Sequence, residues 1–151
     1  MAQQVSTRMA RRMAERVKAA YPRLGTSSDA ALDAKTLRTV GLSTRRAECC
    51  VAIHERSLQL TDAVASGQDW ADVLKSIKGV GPWTIAVFQI FVLREPDVLP
   101  VGDVGLQRAF LALYGTTSTL ATVAERWRPY RSVACWYIWK TLGNEQLDST
   151  T

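Results

Sequence analysis

Leu74–Phe110 reads LKSIKGVGPWTIAVFQIFVLREPDVLPVGDVGLQRAF. A short apolar segment leads into Gly79-Val80-Gly81, a second apolar segment follows, and one acid, Asp103, stands in a loop rich in proline and glycine. Glycine permits φ > 0 and has no Cβ to hold an anion away. Pro82 falls at the first position of the next helix, where a missing N–H costs nothing. The free N–H groups and the positive end of that helix then suit a phosphate. Lys78 adds a charge beside them, and Val80 can tuck inward to fix the turn. The same residues also fit a plain helix–turn–helix corner with a glycine turn. The full pattern L-x-x-I-x-G-V-G-P-W-T is much richer than a lone G-x-G.

Outward from this stretch, every periodic segment reads as helix. Met9, Met13, Val17 and Ala20/Tyr21 recur at three-to-four spacing, with most arginines elsewhere, which predicts a helix over Val5–Tyr21 ended by Pro22 and Gly25. The methionine face reads as core and the arginine face as solvated. Asp29–Val40 predicts one or two short helices stopped by Gly41. Ser43 or Thr44 caps a long helix to about Asp62, with His54 a core histidine on its apolar side. Asp69 caps Trp70–Ile77. Trp83–Leu93 buries Val87, Phe88 and Phe91. Asp103 sits at an N-cap before Leu106, Phe110 and Leu113, and Gly115 closes that helix. Leu120–Trp127 and Tyr130–Leu142 complete the set, with Gly143 as the last stop and residues 144–151 a polar, fraying tail. No alternating strand pattern, repeat or linker is visible. The expected class is all-α, a single compact helical domain over residues 1–143.

Composition bounds the function. A chain of 151 residues can bury a real core, and 47% hydrophobic with 22% charged residues describes a globular protein rather than a disordered one. The longest apolar run, near Ile85–Leu93, is too short to span a bilayer, and residues 1–12 are polar and basic with no signal-peptide core. A net charge of +5 favours an anionic partner, nucleic acid first. Cys49, Cys50 and Cys135 are odd in number and two are adjacent, so a disulfide framework is not expected. Zinc and iron–sulfur spacings are absent, and buried structural thiols are the simplest reading.

Four motifs together carry a resemblance: Ile77–Thr84 (IKGVGPWT), Arg94–Arg108 (REPDVLPVGDVGLQR), Trp127–Trp139 (WRPYRSVACWYIW) and Val40–Glu48 (VGLSTRRAE). The chain resembles the helix-hairpin-helix DNA glycosylases, and within them it is most similar to the 3-methyladenine glycosylase II branch, the alkylation-repair enzymes. The resemblance covers most of the chain. Family members have further helix ahead of Gln3–Gln4, so the N-terminal part of the family fold is expected to be missing.

The resemblance implies roles for single residues. Asp103 is the catalytic carboxylate. Breaking an N-glycosidic bond builds positive charge on the sugar, which a nearby carboxylate stabilises while it orients or deprotonates the attacking water. An alkylated purine is already cationic and leaves readily. Without the family context the helix N-cap is the favoured role for Asp103, and one residue can serve both. In lyase-competent relatives a lysine follows the hairpin; here that slot is Trp83, so no Schiff-base route exists from it. The enzyme is expected to be a monofunctional hydrolase that leaves an abasic site. Trp83 and Trp139 match an aromatic base pocket, where stacking contributes about 1–3 kcal/mol and cation–π attraction up to ~2 kcal/mol against the few kcal/mol spent on flipping the nucleotide. Core packing is the competing reading, and Trp70, Trp127 and Trp136 are assigned to core. Val87 stands where some relatives carry a pocket tyrosine.

Lys78, Gly79, Val80 and Gly81 form the DNA-binding hairpin. Leu42 or Thr44 is the wedge that fills the gap left by the flipped base, and Arg45 and Arg46 are phosphate contacts or simply solvated. Arg131 and Ser132 belong to the last motif, where the sequence does not separate a packing role from a DNA role. Backbone carbonyls of Lys75, Ile77 and Val80 would hold a structural Na+ or K+; no iron–sulfur cluster or other cofactor is expected. The implied partner is double-stranded DNA with a damaged base, and no membrane. A monomer is expected, or a dimer if a second copy completes the core. The location is cytoplasmic on the nucleoid, or nuclear in a eukaryote. Two alternatives stay open: a catalytically inactive DNA-binding module, and a glycosylase for another damaged base.

Overall fold

The computed structural model describes residues 7–21, 32–115 and 117–148. Among these there is no strand, in agreement with the all-α expectation. The helices are α1 (Thr7–Ala20), α2 (Ala34–Thr39), α3 (Thr44–Glu55), α4 (Ser57–Ser66), α5 (Trp70–Lys75), α6 (Pro82–Phe91), α7 (Val104–Tyr114), α8 (Leu120–Ala124) and α9 (Arg131–Asp148), with a 3₁₀ turn at Glu125–Trp127. Contacts divide the chain into two compact units, one ending at Val80 and the other beginning at Gly81. The boundary falls inside the glycine hairpin.

In the first unit the caps are local. Asp33 accepts the Lys35 and Thr36 N–H groups at 3.1 and 2.8 Å and starts α2. Asp69 does the same for α5 through Ala71 at 3.1 Å and Asp72 at 3.3 Å. α2 packs on α3 and α4 on α5, and Leu37, Ala47, Leu60, Ala63, Leu74 and Ile77 are buried there. Met13 and Val17 on α1 are only half-buried. The Tyr21 hydroxyl closes the gap to α2 by donating to the Asp33 carbonyl and accepting its N–H, at 3.2 and 3.0 Å. The expected stops at Pro22 and Gly25, residues 1–6 and residues 29–31 lie outside the described residues.

The long helix expected from Ser43/Thr44 to Asp62 is two helices. Arg56, at φ −98° and ψ 7°, ends α3 and begins α4, because a kink there lets both apolar faces pack where one straight rod would carry the second away. His54 is half-buried rather than core.

The second unit is built around α7 and α9. Leu106, Ala109, Phe110, Leu120, Cys135 and Ile138 form its core, with Leu99, Val123, Trp127 and Trp139 packed against it. Phe110 stacks on Tyr114 at 4.9 Å and meets the edge of Trp127 at 6.4 Å. α9 does not stop at Gly143 but continues to Asp148. One glycine costs a helix about 1 kcal/mol, which is too little to end it when helix-formers follow, so the expected tail from residue 144 is helical up to that point. Trp136, assigned to core from sequence, is 39% exposed. It lies under the Lys140 ammonium at 4.0 Å and against the edge of Tyr137. Phe91, expected on a buried side, is 52% exposed.

Candidate active site

The site grows from the loop that ends in Asp103. Pro100 is buried and its carbonyl accepts the Asp103 N–H at 2.9 Å. Asp103 then takes extended backbone, φ −78° and ψ 109°, and becomes the N-cap of α7. Its Oδ1 accepts the Leu106 N–H at 2.5 Å. The cap read from the sequence is therefore real, and it uses only one carboxylate oxygen. The other, Oδ2, accepts the indole Nε1–H of Trp83 at 2.5 Å. Asp103 is 8% exposed while Trp83 is 50% exposed. A buried carboxylate, gripped by two N–H donors, thus lies beside an open indole face. The flanking Val101 and Val104 are exposed.

Trp83, Val87 and Phe91 are four residues apart on α6 and share one face, so the stripe they form runs about 12 Å at 1.5 Å per residue. Trp83 meets Asp103 at one end. At the other, Phe91 stacks on Trp139 of α9, with centroids 5.9 Å apart and planes 27° apart. Trp139 is half-buried and leans on the core. The two tryptophans named from sequence thus stand at opposite ends of this apolar stripe, Trp83 at the carboxylate and Trp139 against Phe91. Phe91, which the sequence places only on a buried side of its helix, is the ring partner of Trp139.

Cys135 is fully buried on α9, and its thiol is pushed up to about 11, first by burial and then by the negative charge of Asp103, with Arg131 opposing. It stays a neutral thiol at physiological pH and has no nucleophilic role. Burial, helped by Cys49, likewise raises Cys50. No described group of histidine, cysteine and acids could hold a metal ion.

The hairpin separates the roles of its two glycines. Gly79 has φ +104°, a conformation that favours glycine, while a Cβ there would make only an ordinary contact with Cys49. Gly81 has ordinary extended backbone at φ −121° and ψ 179°, and a Cβ there would meet nothing. Its lack of a side chain leaves the approach to α6 open instead. No side chain caps α6, and Pro82 stands at its first position as expected. Lys78 is exposed and Val80 half-buried, its N–H held by the Ile77 carbonyl at 3.0 Å.

In the first unit, Leu42 is half-buried and its N–H is held by the Leu37 carbonyl at 3.1 Å. Thr44 is exposed and opens α3. Together with Ser43, Lys35, Arg38 and Thr39 they line an open concavity of about 650 Å³. Arg45 and Arg46 are exposed on the first turn of α3.

Known proteins bear on this geometry. No protein-family model matches the chain. A Mycobacterium tuberculosis protein named "probable bifunctional transcriptional activator/DNA repair enzyme AlkA" is 35% identical over 158 aligned positions, covering 94% of this chain and 32% of the relative. The chain spans about one third to one half of the length of the curated relatives it matches. Among solved structures, a DNA-3-methyladenine glycosidase from Bacillus halodurans is similar with a TM-score of 0.60 and 32% identity, over 94% of this chain and 71% of the other. The 3-methyladenine DNA glycosylase of Schizosaccharomyces pombe, solved in complex with abasic DNA, shares the fold with a TM-score of 0.72 at 24% identity, over 93% of this chain and 75% of that one.

Proposed function

The chain belongs to the helix-hairpin-helix DNA glycosylases, in their alkylation-repair branch, and on that premise we propose that it hydrolyses the N-glycosidic bond of an N-alkylated purine in double-stranded DNA. The observation that carries this reading is the Asp103 carboxylate held between the Leu106 N–H and the Trp83 indole. As positive charge develops on the sugar, the fixed carboxylate stabilises it without having to reorganise. The same oxygens can accept a proton from the attacking water. The two donors hold the carboxylate as an acceptor with a set orientation.

In this reading Trp83 has two functions. Its N–H aims Asp103 and its exposed ring offers a stacking surface, while Trp139, backed by Phe91, offers a second. An indole has no amine for Schiff-base chemistry, which fits simple hydrolysis to an abasic site. The hairpin would take a phosphate at the start of α6, with Gly81 leaving room and Lys78 adding charge. The Ile77 carbonyl keeps one lone pair after bonding Val80 and, with the carbonyls of Lys75 and Val80, could ligate a monovalent cation. Leu42 or Thr44 would fill the gap in the duplex, and Arg45 and Arg46 would meet phosphates. No cofactor is required, and the protein would act as a monomer in the cytoplasm or nucleus, where its substrate lies. No helix among the described residues is long and apolar enough to cross a membrane.

The test is base release. Duplexes carrying hypoxanthine, 1,N6-ethenoadenine or a methylated purine are incubated with the protein and abasic sites are then cleaved with alkali. Alkali-dependent cleavage is expected. Retained DNA binding with no release from any substrate would favour an inactive DNA-binding module, release of a different damaged base would redirect the substrate, and nicking without alkali would contradict hydrolysis alone.

A further inference from the structure

The loop that delivers Asp103 is fastened at a second place, upstream of the carboxylate. α9 begins at Arg131, and its first two N–H groups are capped from this loop rather than from their own chain segment. The Arg131 N–H bonds Asp97 Oδ1 at 3.4 Å, and the Ser132 N–H bonds the Pro96 carbonyl at 3.0 Å. The side chains complete the clasp. Arg131 Nε donates to Asp97 Oδ1 at 2.6 Å, and its Nη2 donates to Asp97 Oδ2 and to the Asp97 carbonyl at 3.1 and 3.0 Å. Its Nη1 reaches Glu125 at 3.5 Å. The Ser132 hydroxyl donates to the Glu95 carbonyl at 2.6 Å and accepts the Val98 N–H at 2.9 Å. Arg128 holds the outer side of Asp97 at 2.9 Å.

Two consequences follow. Arg131 has three of its nitrogens engaged by this loop and by Glu125, and its side chain is only 15% exposed, so it is poorly placed to serve a phosphate. The clasp also joins the two halves of the site. Six residues after Asp97 comes Asp103, with Leu99 and Pro100 anchored in between. Two turns along α9 from Arg131 comes Trp139, stacked on Phe91. We infer that Arg131 and Ser132 are positioning residues, which lock residues 95–98 to the start of α9 and thereby set Asp103 against Trp83 and the exposed face of α6. This rests on the glycosylase reading of Asp103. An ill-placed reacting group costs on the order of 10²-fold in rate for about 1 Å of error, which is the penalty the clasp would prevent.

The experiment compares wild type with R131A, R131K and S132A, at a temperature where circular dichroism finds all four folded. Single-turnover excision is measured alongside affinity for a duplex with a tetrahydrofuran abasic site at several salt concentrations. Positioning predicts that R131A and S132A lose about 10²-fold in rate while affinity and its salt slope stay at wild-type values. R131K should behave like R131A, because an ammonium cannot reproduce the fork that spans the Asp97 carboxylate and carbonyl. A phosphate contact predicts the opposite: weaker binding and a reduced salt slope for R131A, near-normal R131K, and no effect of S132A. That pattern would overturn the inference, as would wild-type rates in folded R131A and S132A. If wild type itself excises nothing, the glycosylase reading fails and the positioning role falls with it, a result distinct from an active wild type with indifferent variants.

Discussion

Trp83→Phe separates the two functions assigned to Trp83. Phenylalanine keeps an aromatic ring at the start of α6 but has no N–H for Asp103 Oδ2. Asp103 would still cap α7 through Leu106, so the helix and its register should survive. A hydrogen bond to a charged group contributes about 1.5–3 kcal/mol net, and each 1.36 kcal/mol is tenfold in rate. If the bond is made in full at the transition state, single-turnover excision falls by roughly 10- to 10²-fold. Affinity for abasic DNA should change little, because the ring remains. Trp83→Ala should add a loss in substrate binding worth about 1–3 kcal/mol from stacking. The assay is excision under single-turnover conditions on a duplex with one hypoxanthine or methylated purine, with affinity measured separately by anisotropy. A Trp83→Phe protein that excises at the wild-type rate would refute the aiming role and leave Trp83 as a stacking surface alone. Equal losses in rate and in affinity would refute the division of labour proposed here.

The other predictions address the cap, the hairpin, the core and pH. Asp103→Asn keeps an oxygen for the Leu106 N–H but turns its NH2 toward the Trp83 indole N–H, so excision should disappear with a stability loss of about 1–3 kcal/mol; an active variant would remove Asp103 from the chemistry. Gly79→Ala should destabilise by about 1–3 kcal/mol in urea titrations, since it forces a Cβ into positive φ. Gly81→Ala should stay within about 0.5 kcal/mol of wild type yet bind DNA more weakly, so a loss of stability there would contradict the open approach. Phe110→Ala, at a fully buried ring, should cost about 3–5 kcal/mol and lower Tm accordingly. Arg131 holds the Asp97 carboxyl below its ordinary 3.8, and Arg128 holds Glu125 below 4.5. Both acids therefore bind more protons when unfolded, so their stabilisation is complete above about pH 5 and is lost as pH falls through the lowered values. Tm measured between pH 3 and pH 7 should drop at the acid end, and Asp97→Asn should flatten that drop; an unchanged slope in the variant would refute it.

The sequence by itself determined what is local. Helical periodicity, the Asp69 and Asp103 caps, the glycine hairpin with Pro82 at a helix start and the all-α class all depend on residues within a few positions of one another, where backbone sterics and capping act. The motif resemblance added Asp103, Trp83 and Trp139 as candidates on the same terms. Tertiary structure decided everything that depends on which way a helix face turns and which distant segment it meets. Trp136 and Trp139 stand three residues and about 60° of rotation apart on α9, so spacing could not say that one would lie at the surface beneath Lys140 and the other against Phe91. The break at Arg56 follows from packing that outweighs weak local propensities, and α9 runs past Gly143 because one glycine costs too little to end it. The bond from Trp83 to Asp103 spans 20 residues and the clasp from Arg131 to Asp97 spans 34. Such contacts form only once hydrophobic burial has brought α6, α7 and α9 together, and a helix cap read from sequence becomes a held and aimed carboxylate only there.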